Sequence, residues 1–79
     1  MGFLAMLPSK KVQSWVNKKI QVEMKRGKYV LEGVLRSVDD YMNLHLEDTM
    51  EILDEERTRK LGSVVLRGNN IVFICPAKE

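Results

Sequence analysis

The stretch Tyr29-Val30-Leu31-Glu32-Gly33-Val34-Leu35-Arg36-Ser37-Val38 decides the fold. It is long and rich in β-formers, and it carries a glycine at its middle. A glycine inside a strand marks a sharp bend or bulge, which is what a small barrel needs to turn a sheet back onto itself. On its N-terminal side Ile20, Val22 and Met24 alternate with Gln21, Glu23 and Lys25, and Arg26-Gly27-Lys28 supplies a turn signal, so a strand and a hairpin precede it. On its C-terminal side Met42, Leu44 and Leu46 alternate with Asn43, His45 and Glu47, which predicts a third strand with its apolar set turned inward.

Farther out the signals weaken. Pro8-Ser9 is a plausible helix start, with Ser9 able to cap and Pro8 tolerated in the first turn; Val12, Trp15 and Val16 then fall on one helical face. We read a short amphipathic helix over residues 8–17 that covers one open end of the sheet with Trp15 and Val16 and leaves Lys10, Lys11 and Gln13 in water. From Asp48 to Lys60 charge dominates, which reads as a strand end, an exposed loop and a strand start. Val64-Val65-Leu66 and Ile71-Val72-Phe73-Ile74 give two short strands around Arg67-Gly68-Asn69-Asn70, and Pro76 ends the last. Both are apolar on both faces, and an apolar strand at a sheet edge is hazardous unless another chain pairs with it. The expected architecture is mainly β: a short N-terminal helix followed by a strongly bent five-stranded barrel, in one domain spanning residues 1–79.

Composition excludes several classes. At 79 residues, 44% of them hydrophobic and 30% charged, the chain is too apolar for disorder. A domain of this size buries only roughly 60–65% of its unfolded surface, so subunit contacts are expected to supplement its core. No run approaches the ~20 apolar residues of a membrane span, and Phe3-Leu4-Ala5-Met6-Leu7 has neither a basic leader nor a cleavage site, so a cytoplasmic location without membrane association is expected. Gly2 is followed by Met6 at the position where myristoylation requires Ser or Thr. Cys75 is the only cysteine, which rules out an internal disulfide and a thiolate zinc site; it reads as a small buried hydrophobe in a strand. Thirteen basic against eleven acidic residues give a net charge of +2, too small by itself to imply nucleic acid. The lysines crowd the first third and Asp54-Glu55-Glu56 comes later, so one face is expected to be basic and another acidic.

Catalysis finds no support. There is one histidine and one cysteine, with no nucleophile elbow, phosphate loop or metal-ligand spacing, so no catalytic residue, metal or cofactor is expected. His45 reads as a surface or packing residue and Asp54-Glu55-Glu56 as a solvated loop. Two polar groups set among apolar neighbours call for another explanation. If the turns bearing Tyr41-Met42-Asn43 and Arg67-Gly68 lie side by side, Tyr41 offers a ring for stacking, Asn43 an acceptor and two donors, and Arg67 a cationic plane on the other side. Gly68 lets the backbone turn or come close to something. Such a site suits an unpaired nucleobase in single-stranded RNA. Taken singly, the same residues also read as turn formers, an ion-pairing arginine and a tight hairpin.

Val38-Asp39-Asp40-Tyr41-Met42-Asn43-Leu44, with Gly33 before it, resembles the first motif of the Sm-like (LSm) family, and Leu66-Arg67-Gly68-Asn69-Asn70-Ile71-Val72-Phe73-Ile74 resembles the second. The resemblance covers nearly the whole chain and is closest to archaeal Sm-like proteins. It implies an SH3-like barrel of the Sm type and a ring of self-associated subunits, seven as the family norm and six among relatives, closed by pairing the fourth strand of one with the fifth of the next. It implies binding of U-rich single-stranded RNA, as a scaffold or chaperone in RNA processing or decay. By position, Tyr41 takes the stacking place, Asn43 reads the uracil edge, Arg67 covers the base from the opposite side, and Asp39 orients Asn43. Gly68 and Asn69 complete the site. Apart from the resemblance, Lys10 and Lys11 on the helix read first as a solvated charged face and secondly as contacts to the RNA backbone. Many archaeal members have His at the place of Tyr41 and Asp at that of Asn69. The other function considered is a protein-interaction or structural ring that keeps the fold without specific RNA binding.

Overall fold

A computed structural model describes residues 9–25 and 29–77. Pro8, the Phe3–Leu7 run and the Arg26-Gly27-Lys28 turn lie outside the described residues. A helix, α1 (Ser9–Gln13), leads into strands β1 (Lys19–Met24), β2 (Tyr29–Val38), β3 (Leu44–Leu53), β4 (Glu56–Leu66) and β5 (Ile71–Pro76), with a 3-10 turn, Gly68–Asn70, between the last two. The strands form one antiparallel sheet in the order β4-β3-β2-β1-β5.

Gly33 performs the expected bend. It pairs with Ile20 of β1, while on its other side the β2–β3 register slips between Glu32 and Val34. A Cβ placed on Gly33 would stand 2.9 Å from Thr49 Oγ1, 3.1 Å from the Glu47 carbonyl oxygen and 3.2 Å from Thr49 Cα. No side chain therefore fits where the two strands fold over one another. The bent sheet closes around Val12, Ile20, Val22, Leu31, Leu35, Leu44, Leu46, Leu66, Ile71 and Ile74. The alternation of Ile20 with Val22 and of Leu44 with Leu46 points these side chains inward, as the period of two requires.

The helix is shorter than expected. It ends at Gln13, and the chain continues in tight turns, with Trp15 N donating to the Val12 carbonyl (2.9 Å), Val16 N to Gln13 (3.1 Å) and Lys18 N to Trp15 (2.9 Å). Asn17 then adopts φ 70°, a left-handed conformation that turns the chain from these turns toward β1. Asn17 N donates to the Leu35 carbonyl and Leu35 N to that of Lys18, which ties the segment to β2. Val12 is fully buried, Trp15 and Val16 half-buried, and Lys10, Lys11 and Gln13 exposed, as their spacing implies.

The largest correction concerns residues 48–60. In place of an exposed loop, β3 continues to Leu53 and β4 begins at Glu56, so that only Asp54 and Glu55 turn the chain. Their φ values, 52° and 67°, are both left-handed, the backbone of a two-residue hairpin turn usually built from Asn-Gly. Charge hid the strands because β4 is exposed along most of its first half and needs no apolar alternation. Val64–Leu66 is therefore the end of an 11-residue strand. Met42, expected as the first inward residue of the third strand, sits instead in the preceding turn at φ 63°. Cys75 is half-buried, and that burial pushes its thiol pKa up.

One buried charge stands on the sheet. Glu32 is 6% exposed and accepts hydrogen bonds from Gln21 Nε2 (2.9 Å) and Arg57 (3.1 Å). Burial pushes its carboxyl up, but the bonds from Gln21 and Arg57, with the charges of Arg57 and Lys19, outweigh that and hold it below the ordinary value of 4.5.

Two outcomes follow. Gly33→Ala should lower the unfolding free energy in urea by about 1–3 kcal/mol, the cost of forcing atoms into a full site. Because Glu32 titrates lower in the folded chain than in the unfolded one, its network stabilises the fold above pH 4.5 and the contribution fades as pH falls toward the folded pKa. Denaturant melts across that range should therefore show a smaller acid loss for Glu32→Gln than for the parent chain.

Candidate nucleic-acid interface

The loop between β2 and β3 is organised by one carboxylate. Asp39 Oδ1 accepts from the backbone N of Tyr41 and of Asn43, each at 2.9 Å, and Oδ2 accepts from Asn43 Nδ2 at 2.9 Å. Asp39 N donates to the Asn43 carbonyl and Met42 N to that of Asp39, which closes the turn. The backbone bond from Asn43 and then its side-chain bond, helped by the weaker one from Tyr41 N, hold the Asp39 pKa below the usual carboxylate value against the opposing effect of burial.

The other end of the Asn43 amide crosses to the second loop, where Gly68 N donates to Oδ1 at 2.8 Å. A carboxylate can only accept and a peptide N–H can only donate, so the two partners together fix which end of the amide is nitrogen and which oxygen. One Nδ2 hydrogen and one Oδ1 lone pair remain for a ligand. Gly68 is essential to this contact: a Cβ there would overlap the Tyr41 carbonyl oxygen and come within 3.0 Å of Met42 C and O. The glycine is required for close approach between the loops.

Around this bridge Tyr41, Asn43, Arg67 and Asn69 line an open depression of about 440 Å³. Tyr41 is 83% exposed. Arg67 is exposed and makes no ion pair among the described residues. The structure thus brings together Asp39, Tyr41, Asn43, Arg67, Gly68 and Asn69, with Asp39 and Gly68 bonded to the two ends of the Asn43 amide. Lys10 and Lys11 are exposed on α1 and do not line the depression. The contact between His45 Nε2 and Ser63 Oγ at 2.8 Å has no signature in the sequence, because residues eighteen apart meet only through the long β3–β4 pairing.

The LSM domain model matches residues 10–76. The chain belongs to the Sm-like family. Among solved structures, the Sm-like protein AF-Sm2 of Archaeoglobus fulgidus is 54% identical and superposes with a TM-score of 0.85 over 90% of this chain and 95% of that one. A heptameric archaeal Sm protein is 36% identical, with a TM-score of 0.79 over 87% of this Sm-like chain and 98% of its own. The Sm protein of Pyrococcus abyssii, solved in complex with a uridine heptamer, is 28% identical with a TM-score of 0.83, covering 90% and 99%. These likenesses agree with the mainly β fold, the helix and the bend of this Sm-like chain.

Gly68→Ala should part the two loops. The expected readout is faster hydrogen exchange at the residue-68 amide, with a loss of about 1–3 kcal/mol in unfolding free energy.

Proposed function

We propose that this chain, as one Sm-like domain over residues 1–79, binds single-stranded RNA with a preference for uridine as a non-enzymatic subunit of a homo-oligomeric ring. The observation that carries the reading is the locked Asn43 amide in a depression also lined by an exposed aromatic ring and a guanidinium that makes no ion pair among the described residues. Uracil presents an N–H beside a carbonyl oxygen, which matches one free amide acceptor beside one free donor. Cytosine offers its donor and acceptor in the reverse order along the same edge, and an amide that cannot flip does not follow it. Tyr41 and Arg67 supply the two faces for stacking. Asp39, Gly68 and Asn69 belong to the site as support or wall, and Lys10 and Lys11 are available for backbone contacts outside it.

The ring is supported by the ends of the sheet. β4 and β5 are its outermost strands, and they carry the exposed Val65 (70%) and Phe73 (43%). Pairing of β4 in one copy with β5 of the next would extend the sheet and cover both side chains. A heptameric relative and one bound to a uridine heptamer support seven subunits with one base for each. One stacked base contributes only about 1–3 kcal/mol, so repeated pockets are needed for useful affinity. Binding of this kind suits a scaffold or chaperone in RNA processing or decay.

Titration of the assembled protein with labelled U-rich and C-rich oligonucleotides of equal length tests the reading. The parent chain should favour the U-rich strand, and Asn43→Ala should reduce that preference by about tenfold or more. Equal binding of both strands by the parent chain would remove the pocket from consideration.

A further inference from the structure

A base held in this depression uses three of its four walls. Tyr41 and Arg67 take the faces and Asn43 the edge, which leaves Asn69. The root of Asn69 is held firmly, at the centre of the Gly68–Asn70 turn. Asn70 N donates to the Arg67 carbonyl at 2.9 Å, the Asn70 carbonyl accepts from Lys25 N of the segment after β1 at 2.7 Å, and Gly68 is pressed against the Tyr41 and Met42 backbone. The head of Asn69, by contrast, is exposed and has no hydrogen-bond partner among the described residues. The two amides of the site therefore differ: Asn43 is locked at both ends, whereas Asn69 has a fixed origin and free rotation.

We propose that Asn69 contacts the ribose 2′-hydroxyl of the nucleotide whose base stands against Asn43, and so makes the site selective for RNA over DNA. This assignment rests on the base-pocket reading above. With the base engaged by the other walls, the groups left on the nucleotide are sugar and phosphate. Arg67, covering the base with its plane, keeps the N–H groups at its edge for a phosphate rather than a hydroxyl, because charge-assisted bonds are the stronger ones. A neutral amide that can present either end matches a hydroxyl, which both donates and accepts. That hydroxyl is also the group by which a protein tells the two nucleic acids apart. A locked amide reads the order of donor and acceptor, while a turning one suits a group that has no fixed order.

The test uses the assembled full chain with labelled heptamers of uridine and of deoxyuridine, which share one base, measured by fluorescence anisotropy at equal salt. The parent chain should bind the ribo-oligomer at least about fivefold more tightly, since a site that hydrogen-bonds a hydroxyl discriminates against its absence. Asn69→Ala should weaken the ribo-oligomer toward the deoxy value and leave the deoxy-oligomer within about twofold of the parent, because it removes a contact only RNA can make. Equal affinity of the parent chain for both oligomers would overturn the assignment while leaving the base pocket standing. Equal loss of both in the variant would likewise overturn it, by making Asn69 a base contact or a prop for the turn. If neither oligomer binds the parent chain, the pocket itself fails and this assignment with it.

Discussion

The hydrogen bond from Gly68 N to Asn43 Oδ1 joins two loops that lie 25 residues apart in the chain, and the geometry of the depression depends on it. It forms only because residue 68 has no side chain to meet the Tyr41 carbonyl, and only because Asp39 has already turned the Asn43 nitrogen away. One carboxylate, one amide and one missing Cβ thus act in series. The first orders a loop, the second crosses to its neighbour, and the third sets how near that neighbour comes. Tyr41 and Arg67, which line the depression, inherit their separation from this arrangement.

The β3–β4 pairing makes the loops neighbours in the first place: Leu44, just after the first loop, stands opposite Leu66, just before the second. The bend at Gly33 curls the sheet and leaves Thr49 Oγ1 buried, with no hydrogen-bond partner among the described residues. A buried hydroxyl without a hydrogen bond costs about 1–3 kcal/mol. The crossing at Gly33 and Thr49 therefore forgoes some stability while allowing the sheet to wrap.

Legibility in the sequence followed local rules. Gly33, the alternation in β1 and the Leu44/Leu46 pair were readable because glycine and period two act over a few residues. That Asp39, Tyr41, Asn43, Arg67, Gly68 and Asn69 come together in space was readable through family resemblance, since nothing local says that residues 43 and 68 meet. The Asp54-Glu55 hairpin escaped because two acidic residues occupy left-handed positions where Asn-Gly is the usual signal, and because a solvent-facing strand has no apolar rhythm to betray it. The path of residues 14–18 in tight turns after α1, tied to β2 through the bond from Asn17 N to the Leu35 carbonyl, was invisible in residues 9–17 alone.

The sheet order gives the last point. A sheet whose outermost strands are β4 and β5, each bearing an exposed apolar side chain, leaves two open edges. Where copies fill those edges, native structure is stabilised by mass action, so a melting temperature measured at one protein concentration does not describe the chain at another. Dilution then acts as a denaturant: the strands most exposed to it are the two at the ends, and the loop carrying Arg67 and Asn69 hangs directly between them.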